Sequence, residues 1–176
     1  NVYAAYLAYT DHEVGRVVQA VEAMGQRDNT LVIYITGDNG PSSEGLRNGT
    51  PNEFTTFNGV PMEVKPQLLW YPFWGSERTF PHFAAGWSWA MATPFKWVKQ
   101  VGSHFGGTRE GMAMSWPDRI KDAGEIRSQF HHVIDIVPTI LEATSIPAPA
   151  TINGIEQRPM DGVSMAYSWD KANANA

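Results

Sequence analysis

The sequence predicts an α/β fold with a mixed, mainly parallel sheet flanked by helices, and three observations carry that prediction. Residues 3–24 repeat apolar side chains at three- and four-residue steps. Residues 31–35 form an apolar run without polar alternation. A polar, glycine-containing loop, Thr36-Gly37-Asp38-Asn39-Gly40, follows that run directly. Helix, short turn, buried strand and polar loop in this order describe a unit whose functional groups gather at the strand's carboxyl end.

Each element has its own justification. Tyr3, Tyr6, Leu7, Thr10, Val14, Val17, Val18, Val21 and Met24 share one helical face, opposite Asp11, Glu13, Arg16 and Gln19. Thr10-x-x-Glu13 has the form of a capping box and would start a helix there. The apolar stripe runs straight through Thr10, which favours one long helix that stops at Gly25. Asp28-Asn29-Thr30 reads as a turn. The run from Leu31 to Ile35 reads as a strand buried on both faces, because a strand that faces water on one side alternates.

From Pro41 to about Phe95 the periodicities fade into a stretch rich in Gly, Pro, Asn and aromatics, among them Trp70, Trp74, Trp87 and Trp89. A long loop in a compact domain often builds a binding site, and the same aromatics would serve equally well to pack it onto a sheet. Residues 111–116 are a second strand, closed by Pro117-Asp118. Residues 135–143 are a helix with Asp135 as N-cap and Pro138 in its first turn. Residues 166–176 are expected to form a frayed tail.

Bulk properties exclude several classes. The chain has 176 residues, 43% of them hydrophobic, a net charge of −5 and no cysteine. One core is the expectation for this length. A net negative charge gives no electrostatic case for nucleic acid. Disulfides and thiolate metal sites are excluded, whereas the compartment stays open, since a cysteine-free chain suits either side of a membrane. No apolar run approaches the ~20 residues of a spanning helix. The first residue is Asn1, with neither an initiator Met nor a signal peptide, which points to a removed N-terminal portion.

Asp38 and Asn39 are the leading candidates for chemistry. A carboxylate and an amide oxygen at the end of a buried strand are hard oxygen ligands on a rigid support, suited to Ca²⁺ or Mg²⁺. Gly37 and Gly40 let the backbone turn closely around an ion. Asp-Asn-Gly is also an ordinary turn sequence. Lys96 and Lys99 by themselves read as two cations on a solvated helix. His104, His131 and His132 read as structural histidines.

The series Asp11-x-x-Val14-Gly15-Arg16, then 28–40 with its Thr36-Gly-Asp38-Asn39-Gly40, then Thr93-Pro94-Phe95-x-x-x-Lys99, Gly106-Gly107-Thr108-Arg109, Ser115-Trp116-Pro117 and 132–141 resembles the sulfatase family of the alkaline phosphatase superfamily. The wording around His104-Phe105-Gly-Gly is similar to the bacterial arylsulfatases, which leaves periplasm and cytoplasm both open. The resemblance covers nearly the whole chain. It implies an alkaline phosphatase-like α/β fold, incomplete here, with residues 1–165 forming the C-terminal part of a sulfatase catalytic domain. It implies that Asp38 and Asn39 are Ca²⁺ ligands (Mg²⁺ being the alternative) and that Lys99 is the catalytic lysine on the sulfate group of a small-molecule sulfate ester.

The family's nucleophile is a formylglycine made within a Cys/Ser-x-Pro-x-Arg motif. Ser115-Trp116-Pro117-Asp118-Arg119 fits that pattern formally, but its Ser ends a predicted strand already matched to another family motif. The resemblance therefore implies a nucleophile in the remaining N-terminal part of the enzyme, which would attack sulfur with the metal's help. A phosphoesterase or phosphonate hydrolase of the same superfamily, and a non-catalytic aromatic-rich binding module, are the alternatives.

Overall fold

The structure, a computed structural model, describes residues 2–175. It forms two compact units, one comprising residues up to Gly25 with Val32–Met114, the other Gln26–Leu31 with residues from Ser115 onward.

The first unit opens with helix α1, Val2–Ala23. The long-helix reading is the one observed: Thr10 does not cap a new helix but donates its hydroxyl to the Tyr6 carbonyl one turn back (2.9 Å). Gly25, at φ 68°, provides the left-handed residue that ends the element. No residue of α1 is buried. Tyr3 lies against Phe83 and Trp87, with ring centroids 4.7 and 5.1 Å away, whereas Tyr6, Tyr9, Val17 and Met24 are each more than 60% exposed.

Strand β1, Val32–Ile35, pairs with β2, Met112–Ser115. The carboxyl end of β1 meets the amino end of β2, where the Thr36 N–H donates to the Gly111 carbonyl (3.1 Å), so the two run antiparallel. The expectation of a mainly parallel sheet extends beyond this pair. An unalternating apolar run signals burial on both faces, and such burial is compatible with either strand direction. Even that burial is not seen among the described residues: Tyr34 and Ile35 are each 40% exposed.

The aromatic stretch is more ordered than its sequence suggests. It contains helices α2 (Glu53–Phe57), α3 (Val64–Gln67) and α4 (Ala85–Ala92), with a 3₁₀ segment at Leu68–Phe73. Isolated bridges join Thr50 to His82 and Asn52 to Phe80. The buried Gln67 amide donates to the Gly49 and Met62 carbonyls (3.0 and 3.1 Å), which satisfies loop backbone that has no ladder of its own. After it come α5, Phe105–Thr108, and then β2.

The second unit is built around helix α6, Ile136–Thr144, and a short antiparallel hairpin of β3 (Thr151–Ile152) and β4 (Ile155–Glu156). Asp135 occupies the N-cap position of α6 as expected, but its side chain makes no cap hydrogen bond to that helix. A 3₁₀ turn, Val133–Asp135, precedes α6, and His132 caps that turn in a reciprocal box with Asp135. The Asp135 carboxylate accepts from the backbone N–H of His132 (2.8 Å) and of Val163 (2.9 Å). Thr139, fully buried, donates to the Asp135 carbonyl (2.6 Å) and accepts from Met165 N–H (2.8 Å).

The expected loose end begins later than Ala166. Trp169 is buried and meets Trp116 edge-on at 5.9 Å, and Arg127 donates to the Ser168 and Trp169 carbonyls, both at 2.6 Å.

Burial alone would raise the Asp135 carboxyl, but the two backbone N–H donors, with His131 beside them, hold it below the ordinary carboxylate value. A group depressed on folding contributes stability above its unfolded value, near pH ~4, and loses it as pH falls through the folded value. Asp135→Ala is therefore expected to lower unfolding stability by about 2 kcal/mol at pH 7, since the His132 and Val163 N–H groups both lose a charged acceptor. Urea denaturation should show the gap to wild type narrowing below pH ~4. A gap that stays constant with pH would mean that the carboxylate is not its source.

Candidate functional site

All the residues discussed for chemistry in this section belong to the first unit unless noted. Strand β1 delivers the loop 36–40, and Thr36 fixes its start: the hydroxyl, like the N–H, donates to the Gly111 carbonyl (2.6 Å). Asp38 is exposed and Asn39 half-buried, so a carboxylate and an amide oxygen are open to a ligand from solvent. A second carboxylate stands nearby. A Cβ placed on Gly37 would lie 3.5 Å from Glu110 Oε2, and burial, followed by the charge of Asp38, raises the Glu110 carboxyl above its ordinary value.

Hard oxygen donors with net negative charge are the set that Ca²⁺ or Mg²⁺ takes, and Ca²⁺ takes about six to eight of them. Among the described residues no group of three or more His, Cys, Asp or Glu forms a metal cage. Asp38 and Asn39 thus fit as part of a coordination shell rather than as the whole of one.

Lys99 is brought to the same loop by backbone contacts. Its N–H donates to the Pro41 carbonyl (3.2 Å), and the Gly40 N–H donates to the Gly107 carbonyl (3.0 Å). The approach requires glycine. A Cβ on Gly40 would lie 2.8 Å from the Gly107 Cα and would clash with the Gly106 carbonyl, and one on Gly106 would meet the carbonyls of Lys96 and Trp97. Trp97 (φ 69°) and Gln100 (φ 76°) both adopt the left-handed region on either side of Lys99. Non-glycine residues held there cost of order 1–3 kcal/mol each and cluster at functional sites.

Lys99 is half-buried, and its Nζ lies 3.7 Å from Glu44 Oε2, an ion pair too long for a hydrogen bond. Lys96 is exposed, and its backbone carbonyl accepts from Gly106 N–H (3.0 Å).

The other candidates find packing partners. His104 sits at the N-cap of α5, with Nδ1 2.9 Å from Ser103 Oγ and its ring against Trp97. In the second unit His131 lies between Asp135 (3.4 Å) and the Tyr167 hydroxyl (3.3 Å). Ser115 ends β2, and its Oγ accepts from Arg27 (2.7 Å). Sequence reasoning missed Glu44, Ser42, His82 and Glu110, because only the fold brings His82 to Ser42 and Glu44, and Glu110 to Asp38. The closest signal was Ser42-x-Glu44, immediately after the Asp-Asn-Gly loop.

Comparison with known proteins identifies the family. A family model described as Sulfatase matches residues 1–146. An uncharacterized sulfatase of Schizosaccharomyces pombe is 30% identical over 154 residues, which is 85% of this chain and 25% of that protein. An arylsulfatase of Klebsiella aerogenes is 26% identical over 168 residues, 94% of this chain and 34% of that protein. The chain thus spans about a quarter to a third of the length of these curated relatives.

Proposed function

The chain belongs to the sulfatase family, and from that membership we propose that it supplies the second half of an arylsulfatase-type active site. An alkaline phosphatase-like α/β fold goes with the family. In this reading residues 1–165 are the C-terminal part of the catalytic domain. Asp38 and Asn39 hold a Ca²⁺ ion (Mg²⁺ being the alternative), Lys99 binds the sulfate group of a small ester, and a formylglycine outside this segment is the nucleophile. When bound, the metal supplies Lewis-acid polarisation of oxygens on the ester.

The roles of the chain's own residues follow from charge and placement. The Lys99 ammonium is a compact charge with three donors, and an anionic sulfate oxygen is a natural acceptor for it. Because Lys99 is fixed through its backbone to Pro41, three residues beyond Asp38, cation and oxygen ligands hold their spacing without reorganising as charge develops on the transferring group. This juxtaposition is the observation that best supports the reading. The Asp38 carboxylate and Asn39 amide orient the ion, and the exposed aromatics of the 41–95 stretch are available to the organic part of the ester.

Sulfate and phosphate esters share shape and charge sign, so the reading is tested by comparing them. The full-length protein carrying this segment is expected to hydrolyse p-nitrophenyl sulfate at least about tenfold more efficiently (kcat/KM) than p-nitrophenyl phosphate, with activity lost on chelation and restored by Ca²⁺. Preference for the phosphate ester would move the assignment to a phosphoesterase. No turnover of either, with aryl ligands still bound, would make the segment part of a binding module.

A further inference from the structure

One polar cluster in the first unit is not used by the reading above, although it leads directly to Lys99. Glu44 is its centre. One carboxylate oxygen, Oε2, accepts from Ser42 Oγ (2.7 Å) and faces Lys99 Nζ (3.7 Å). The other, Oε1, accepts from the Gln100 amide (3.1 Å). Ser42 is held in turn: its Oγ accepts from Glu44 N–H (3.2 Å) and lies 3.1 Å from His82 Nε2, and its carbonyl accepts from the buried Ser88 hydroxyl. His82 Nδ1 lies 3.0 Å from the Phe83 carbonyl. The chain from Phe83 through His82 and Ser42 to Glu44 crosses from the aromatic stretch to the loop that follows Asn39.

The packing fits that arrangement. A Cβ on Gly45 would lie 2.7 Å from His82 Nδ1 and would clash with the Phe83 carbonyl, so only glycine leaves room for the histidine next to Glu44. Residues 99 and 100 both address Glu44, and left-handed Gln100 is what turns its amide to the carboxylate while Lys99 keeps its own contact. The hydrogen bond from Ser42, with the charges of Lys99 and His82, holds the Glu44 carboxyl below its ordinary value against the opposing effect of burial.

A flexible lysine has rotamer entropy to lose before it can serve as a fixed charge. At 3.7 Å, Glu44 attracts the ammonium without taking up one of its three donors in a hydrogen bond. It therefore limits where Nζ can go and leaves the donors for a ligand.

We propose that Glu44, set by Ser42, His82 and Gln100, is the positioning residue that aims Lys99 at a bound sulfate group. The proposal rests on Lys99 as the anion-binding lysine, and its test separates the two ideas. In the full-length protein carrying this segment, kcat/KM for p-nitrophenyl sulfate and the inhibition constant of inorganic sulfate are measured for wild type, E44Q, K99A and the double variant.

E44Q keeps the size of the side chain and removes its charge. It is expected to cost about tenfold to a hundredfold in kcat/KM and to weaken sulfate inhibition, as misplacement of a reacting charge does. In the K99A background the same change should cost less than about twofold, since a residue acting through Lys99 has nothing left to act on. An equal loss in both backgrounds would make Glu44 merely structural, and no loss in wild type would also overturn the proposal. A harmless K99A would remove the reading of Lys99 and this inference with it. Should E44Q not fold, S42A, which frees one Glu44 oxygen and leaves its charge, is expected to show a smaller loss that again vanishes with K99A; persistence of that loss would overturn the proposal.

Discussion

Lys99→Ala is expected to lower kcat/KM for p-nitrophenyl sulfate by about a hundredfold to a thousandfold in the full-length protein, the range seen when one preorganised group facing developing charge is removed. Lys96→Ala is expected to stay within about threefold of wild type, as surface substitutions do. The contrast follows from placement. Lys99 is half-buried, tied through its N–H to Pro41 and paired with Glu44, whereas Lys96 is exposed. A free ammonium on a long stem spends little time where a sulfate would sit, and a held one is ready before the substrate arrives. The assignment fails if the Lys96 variant is the more damaged of the two.

The second large effect is expected at Asp38. Replacement by Ala removes the one carboxylate of the pair, and Asp38→Ala should weaken Ca²⁺ binding by about a hundredfold or more, because ligand charge is what tunes Ca²⁺ affinity across orders of magnitude. Activity should fall at least in proportion at low Ca²⁺ and recover partly at high Ca²⁺. Binding can be read without turnover. An ion that binds only the folded state raises stability by about 2.7 kcal/mol at a hundred times its Kd, so a Ca²⁺-dependent rise in thermal midpoint should be large in wild type and nearly absent in the variant. Asn39→Ala, which removes a neutral ligand, should fall between them. Identical Ca²⁺ responses in wild type and Asp38→Ala would place the ion elsewhere.

How much of this was legible in the sequence depended on the kind of signal. The helix over α1 and the strand at β1 were plain, since their periods, 3.6 and an unbroken run, are local properties of the side chains. The polar loop after β1 was legible as a loop for the same reason. Helix α4, Ala85–Ala92, was not: Ala-Gly-Trp-Ser-Trp-Ala-Met-Ala is apolar on every side and so carries no amphipathic stripe. The N-cap position of α6, Asp135, was legible, but the role of its side chain was not: it makes no cap bond to α6 and instead shares with His132 the capping of the 3₁₀ turn before it, and a histidine seldom does so. Trp169 was assigned to a loose end because its partner, Trp116, lies 53 residues earlier in the chain and pairs with it only through the fold. Glu44 was invisible for a similar reason. A glutamate two residues after a serine says nothing until Gln100, Lys99 and His82 arrive around it from positions 38 to 56 residues away.

The glycine contacts at Gly40, Gly45, Gly106 and Gly107 have a consequence for how such a protein tolerates change. The segment that carries Lys99 is held by main chain against main chain, at positions where even one added methyl group has no room. Its geometry is therefore largely insulated from the identity of neighbouring side chains. The aromatic stretch, by contrast, presents Tyr71, Phe80 and Trp89 outward, each more than half exposed, and its ordering rests on backbone bridges and on Gln67 rather than on those rings. Drift or laboratory diversification at the outward rings is therefore expected to leave the main-chain geometry around Lys99 unchanged. In a randomised library, survivors should be plentiful at the outward rings and scarce at the four glycines.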